Sequence, residues 1–377
     1  MQPKNSLNFF QLSMVYMMST GLLNHVTLIP ILLEVAGRDS WTGPLGATGF
    51  TILWSVLLVF IIRQMQGKHL CDWLQQTVGR PVTYLLIAWM TVILFLPTAV
   101  TLIDLIYWTN NTYLTNTPRV ILLIPILGLC LYNAYHGIYS VRKTASLLLP
   151  FVILFGIFVA TANMSYKDYT MLLPVLEQGW HPVVRGTQYA LSGFLEIIWI
   201  VLLQHRLDRS APLFKGMTVI TLLMFGLTVG PLIGAIVEFG PSVAANMRYP
   251  AFEEWRLVKI GDYIEHVDFL SIFQWITGAY VRLSLHVYLI LELYRLHEQK
   301  KRKVRLWALG ILGAGLLMIF AVPLNDIQFI GLLKTLVLPL KVYTLLGLSV
   351  ILGVIALLAK RKEGREGDEG NEHPEAV

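Results

Sequence analysis

The sequence predicts an all-α, polytopic membrane protein with about ten transmembrane helices, and three observations carry that expectation. Hydrophobic residues make up 55% of the 377-residue chain and charged residues 14%, with a mean hydropathy of +0.63. A soluble chain carries roughly a quarter charged residues, so a water-facing surface of this size is excluded. The apolar residues also fall in long unbroken runs, where two or three soluble domains would show narrower amphipathic stripes. Finally, the runs lack the ten-residue alternation of a membrane β-barrel.

Because a helix needs about 20 apolar residues to cross the hydrocarbon, the runs define spans at 7–34, 43–62, 81–107, 118–136, 144–162, 186–204, 216–238, 267–294, 306–323 and 335–359. The first is long enough for a full span and lacks the basic start and small-residue cleavage site of a signal peptide. Residues 1–362 thus form one transmembrane domain, and the polar, Gly-rich segment 363–377 reads as a disordered tail. Longer loops are expected at 163–185 and 239–266, the second with a short surface helix near 251–265. Of the 29 Lys and Arg residues, 19 fall on the side of the termini and 8 on the other, with Arg282 and Lys341 inside spans. Positive charge collects on the cytoplasmic side, which predicts cytoplasmic termini. It also makes the net charge of +6 a sign of topology, with no nucleic-acid partner implied. Cys71 and Cys130 offer no disulfide framework, CxxC or metal spacing. No paired-His metal motif, GxSxG or phosphate-binding glycine loop is present, so neither an enzyme nor a cofactor is expected.

Ten spans divide into five plus five, and the first and sixth are interrupted alike. Ser19-Thr20-Gly21-Leu22-Leu23-Asn24 aligns with Leu191-Ser192-Gly193-Phe194-Leu195-Glu196, with a hydroxyl before each glycine and a polar group three residues after. Such residues weaken a helix interior, and paired interruptions in two halves point to a midplane binding site. The predicted ligand site is Thr20, Gly21, Asn24, Ser192, Gly193, Phe194, Leu195 and Tyr280. Unwinding there would free backbone groups for a carboxylate and an ammonium. The competing reading, that both glycines permit close helix packing, stands beside it.

Ionisable groups inside spans are costly and functional by default. Glu196 and Arg282 lie at depths of roughly 15 and 22 Å in two spans of the same direction, which predicts a buried charge pair. Asp104, nearer the surface, is the rival partner for Arg282, with water, Trp108 and Asn110 as its other possible partners. Lys341 is expected to snorkel to the headgroups, Glu34, Glu238 and Glu292 to be solvated at helix ends, and neutral His25 and His286 to fill packing roles. Span 5 carries no mid-membrane Lys, Asp or Glu to serve as an ion-coupling group.

From Arg248 to Arg282 the chain holds Arg248-Tyr249-Pro250, Glu254, Arg256, Gly261-Asp262-Tyr263-Ile264-Glu265, Asp268, Trp275 and Tyr280-Val281-Arg282. With Leu172-Leu173-Pro174-Val175, Gly179, Pro182 and Gly186, and Gly137 followed by Arg142, this resembles the spore-germination permeases, the B-type membrane subunits of nutrient germinant receptors. His266 and Arg282 stand where that family often has Arg and commonly has Lys. The resemblance implies a five-plus-five inverted-repeat fold similar to amino-acid permeases, located in the cell or spore inner membrane. It further implies sensing of a small nutrient such as an amino acid, with A-type and C-type receptor subunits as partners. An ion-coupled amino-acid transporter is the alternative.

Overall fold

A computed structural model describes residues 7–208, 212–261, 265–297 and 302–369, with side chains to Arg361. Among the described residues, eight stretches are long and apolar enough to cross a membrane. The first, Phe9–Met65, holds 57 residues, or about 85 Å as one helix, far more than a bilayer needs. It is two spans, separated where Gly37 takes φ 49° and a 3-10 turn, Gly37–Trp41, reverses the chain. With the shorter helix Arg119–Tyr135 the described residues hold ten spans. They are span 1 (residues 9–36), span 2 (Thr42–Met65), span 3 (Arg80–Thr112), span 4 (Arg119–Tyr135) and span 5 (Ile138–Ala162), followed by span 6 (Trp180–Arg206), span 7 (Leu213–Phe239), span 8 (Phe269–Leu293), span 9 (Arg302–Phe320) and span 10 (residues 326–369).

An even number of spans returns both ends to one face, here called the terminal face; the loops 163–179 and 240–268 lie on the loop face. Spans 1, 6 and 8 form the interior, with Tyr16, Phe194, Arg282 and Tyr288 fully buried. The outward sides of spans 4, 5 and 9 present apolar side chains such as Ile121, Leu129, Leu147, Leu154, Trp307 and Ile311, as contact with lipid requires.

Span 1 begins with a capping box: Asn8 Oδ1 accepts from the Gln11 amide at 2.8 Å and Gln11 Oε1 from the Asn8 amide at 3.4 Å. Arg142 of span 5 donates to the same Gln11 oxygen at 2.8 Å. Just before span 1, Leu7 pairs with Leu207 at the end of span 6: the Leu7 amide donates to Arg206 O at 2.8 Å and the Asp208 amide to Leu7 O at 3.2 Å. Among the described residues this isolated bridge is the sole β-type pairing.

Both expected interruptions exist, but neither is an unwound gap. Span 1 widens into a π-turn at Leu23–Thr27 and resumes as α-helix, while span 6 tightens into 3-10 turns at Leu195–Trp199 and Gln204–Arg206. A change of helical pitch accommodates the weak positions without surrendering the ladder. Two boundaries also move. The surface helix in the long loop is Pro250–Leu257, shorter than 251–265, and residues 262–264 of the Gly-Asp-aromatic motif lie outside the described residues. Span 10 remains helical to Glu369, past the boundary expected at 362. That stretch is rich in Lys, Arg and Glu, which are good helix formers. Residues 370–377 of the expected tail lie outside the described residues.

Candidate functional site

The 3-10 turn in span 6 aims Glu196 across the interior at span 8. Arg282 meets it as a two-pronged fork, Nη1 to Oε2 at 2.7 Å and Nη2 to Oε1 at 2.6 Å. The fork is anchored further by Ser19 O of span 1, at 2.9 Å from Nη1, and by Thr101 Oγ1 of span 3, at 3.0 Å from Nε. Lys341 of span 10 donates to Glu196 Oε1 as well. Its side chain is 5% exposed, so the expectation that it snorkels to the headgroups is wrong. Span 10 starts at Asn325, where a capping box with Gln328 closes its first turn; Lys341 therefore sits some 15 residues in, at mid-depth. One carboxylate and two cations thus join spans 1, 3, 6, 8 and 10, leaving one surplus positive charge.

One turn from this knot, the interrupted spans touch. Thr20, Gly21, Asn24, Ser192, Gly193, Phe194 and Leu195 are all buried, and the Asn24 side chain lies over Gly193. A Cβ built on Gly193 would come within 1.8 Å of Asn24 Oδ1. Thr20 and Ser192 turn their hydroxyls back to Tyr16 O and Tyr189 O at 2.6 and 2.7 Å, while both polar atoms of the Asn24 amide have no partner. Tyr16 Oη, Ser19 Oγ, Ser284 Oγ and His286 Nε2 are likewise buried without partners; His286 Nδ1 meets Thr98 Oγ1 at 3.1 Å. Tyr280 packs elsewhere, among Leu102, Leu123 and Leu316, and its carbonyl faces Cys130. The interrupted spans therefore bring together every predicted ligand residue except Tyr280.

Open space lies on the other side of span 1. A cavity of about 520 Å³ is bounded by span 1 (Met17 to Val26), span 5 (Leu149 to Ile157), span 7 (Leu222 to Leu227) and span 8 (Ser271 to Gly278), with Ala251 and Trp255 of the surface helix also lining it. Of the predicted ligand residues only Gly21 lines it. No motif or spacing in the sequence points to this cavity.

Two further clusters secure the loop face. Asp104 does not meet Arg282; its Oδ1 accepts from Arg248 Nη2 at 2.7 Å and Tyr249 Oη at 3.3 Å, and its Oδ2 from Thr27 at 3.2 Å. Burial and the Asp104 carboxylate push the Tyr249 hydroxyl far above its ordinary range, so it remains a donor. The Arg-Tyr-Pro motif thus fixes the long loop to spans 1 and 3. Nearby, Asn163 Nδ2 donates to Glu238 Oε2 at 3.0 Å and to Glu254 O at 2.7 Å, and Lys167 approaches Glu238 at 3.6 Å. Burial, reinforced by the Glu238 charge, raises the Glu254 carboxyl well above the usual carboxylate range.

Glu238 and Glu292 are buried rather than solvated, because neighbouring loops close over their helix ends, whereas Glu34 pairs with Lys334 at a half-exposed site. Glu292 accepts from Arg206 Nη2 and Tyr288 Oη, both at 2.9 Å, and His205 Nε2 is 2.9 Å away. His69 Nε2 completes a His-His-Glu group at 3.9 Å from the same carboxylate. However, His69 Nδ1 accepts the Cys71 amide at 3.2 Å. A neutral ring then carries its proton on Nε2 and offers no lone pair there, so the group reads as a hydrogen-bonded anchor and not a metal centre.

A ten-span helical bundle, with its first and sixth spans interrupted face to face around a buried charge knot, is an integral membrane protein of the permease fold. Solved structures share it: MhsT in complex with L-phenylalanine (TM-score 0.63, 12% identity, 92% of this chain and 97% of that one) and the nucleobase-cation-symport-1 transporter Mhp1 (TM-score 0.61, 13% identity, 94% and 80%). Within that class the chain belongs to the spore germination permease family, whose model, described as "Spore germination protein", matches residues 5–330. It is 39% identical over 357 residues to spore germination protein XB of Bacillus anthracis, spanning 95% of this chain and 99% of that protein.

Proposed function

We propose that this chain is the nutrient-binding membrane subunit of a germinant receptor, taking a small zwitterion such as an amino acid between spans 1 and 6 and signalling through A-type and C-type partner subunits. One observation carries the site: the Asn24 amide is fully buried against Gly193 with neither polar atom bonded. A buried unsatisfied amide is costly, and a polar ligand entering beside Gly193 would satisfy it. The surplus cation of the nearby knot suits a carboxylate. The lateral cavity suits a zwitterion poorly, since no Asp, Glu, Lys or Arg among the described residues lines it. L-phenylalanine, the named ligand of MhsT, is a molecule of this kind.

Because its amide has no partner to lose, Asn24→Ala should preserve protein level while weakening the response to the nutrient by about tenfold, the loss of a hydrogen bond to a charged group. Ser192→Ala and Phe194→Leu should shift concentration dependence or ligand preference. A labelled amino-acid panel in proteoliposomes tests the rest. Binding without concentrative uptake is expected; uptake driven by an imposed ion gradient would make the chain a transporter. Wild-type affinity and preference in all three variants would place the nutrient elsewhere. Cytoplasmic termini belong to the same reading. Cysteines at Lys259 and Arg361 should label from opposite faces with an impermeant reagent.

A further inference from the structure

We infer that the lateral cavity is a second binding site, for a small, uncharged, largely apolar molecule that presents one hydrogen-bond donor to His25. Pro231 lies inside span 7. Proline has no N–H, so the carbonyl four residues earlier, Leu227 O, loses its helical donor. His25 fills that role, with Nδ1 at 3.2 Å from Leu227 O. A carbonyl can only accept, so Nδ1 carries the proton. Among the described residues no carboxylate lines the cavity to hold an imidazolium, and an ordinary histidine is mostly neutral at pH 7. Nε2 is therefore a lone-pair acceptor, on a residue that lines the cavity and sits within the π-turn of span 1.

The remaining wall selects the rest of the molecule. Met18, Leu22, Val152, Leu223, Trp255 and Trp275 contribute apolar surface. The polar atoms of Gln274 are already engaged, Nε2 with Val152 O at 2.9 Å and Oε1 with Trp255 Nε1 at 3.0 Å. Lining residues Ile153, Ile157, Leu222 and Leu223 are exposed on the outer sides of spans 5 and 7, so the cavity opens sideways to the hydrocarbon. A charged molecule is excluded twice, by that route and by the absence of any counter-charge. A lipid acyl chain fits the wall but has no donor for His25.

The test uses 2-naphthol and 2-methoxynaphthalene, which share an aromatic body and differ in the O–H donor, titrated calorimetrically into the full chain in nanodiscs and corrected against empty nanodiscs. 2-Naphthol should bind about fivefold more tightly, the value of one neutral hydrogen bond. His25→Asn, which keeps a donor within reach of Leu227 O but withdraws the Nε2 acceptor, should erase that preference. Gly226 lines the cavity, and a Cβ there would meet nothing within 4 Å. Gly226→Leu should therefore fill the space without strain and weaken binding more than tenfold. Equal binding of the two probes, or a preference that survives His25→Asn, overturns the inference and makes the cavity an acyl-chain slot. Binding of neither probe, or binding unaffected by Gly226→Leu, overturns it as well.

Discussion

Replacing Glu196 with Gln should be among the most damaging single changes this protein can undergo, and the geometry sets its size. The carboxylate is the one anion among three charges, receiving both prongs of Arg282 at 2.6 and 2.7 Å together with Lys341. Breaking a buried pair by neutralising one partner costs about 3–5 kcal/mol. Here two buried cations are left facing each other, and at a separation of about 4 Å and an effective dielectric near 20 their repulsion is of order 4 kcal/mol. Arg282 would retain only neutral acceptors, the remaining amide oxygen of residue 196 with Ser19 O and Thr101 Oγ1, and the new amide NH2 would face a cation. Lys341→Met removes the surplus cation and leaves the fork intact, so it should change stability by less than about 1 kcal/mol or increase it. A simple charge swap of Glu196 and Arg282 should fail, because the new arginine would face Lys341. The same swap with Lys341→Met should recover part of the loss. Unfolding in mixed micelles at rising SDS fraction, followed by far-UV circular dichroism, measures each variant. If Glu196→Gln loses no more stability than Lys341→Met, the knot does not hold the bundle.

Gly193→Ala forces a methyl against Asn24, with a cost of about 1–3 kcal/mol; adding Asn24→Ala should restore most of it in the same unfolding assay, since that amide has no bonds to lose. Arg248→Ala leaves Asp104 buried with only Tyr249 and Thr27, so the loop should detach at a cost of about 3 kcal/mol and become cleavable by added protease. Arg248→Lys, lacking the planar fork, should fall between. A folded-state carboxyl held above its ordinary range contributes stability that is full at acid pH and lost as pH rises through the raised value. Docking of Pro250–Leu257, read by hydrogen exchange, should therefore weaken as pH climbs above the usual carboxylate range, and Glu254→Gln should flatten that dependence.

Where the sequence was informative, it was so because lipid imposes a single rule on long apolar runs. Ten runs became ten spans, and the depths of Glu196 and Arg282, counted along spans of one direction, brought them within reach. Lys341 was misplaced because hydropathy locates a span by its apolar stretch and not by its cap. The helix starts near Asn325, well before the run becomes continuously apolar, so a residue near the apparent end was at the middle. Glu238 and Glu292 were misread for a related reason: their helix ends are roofed by Lys167 and Asn163, and by Arg206, His205 and His69, contacts set by tertiary structure. The role of His25 had a readable half, since Pro231 announces an orphan carbonyl at Leu227. Which side chain reaches that carbonyl depends on the packing of spans 1 and 7, and no periodicity encodes it.

The bridge between Leu7 and Leu207 has a mechanical consequence. Its two bonds run from backbone to backbone, so side-chain changes leave them intact while they bind the entrance of span 1 to the exit of span 6. Any relative motion of those spans that preserves them must be a rotation about this clasp, as of two arms on one pivot. Gly193 lies 14 residues from Leu207, about 21 Å along the arm. A tilt of about 10° would displace it by roughly 4 Å, enough to lift Gly193 off the Asn24 amide while the far end of the arm moves most.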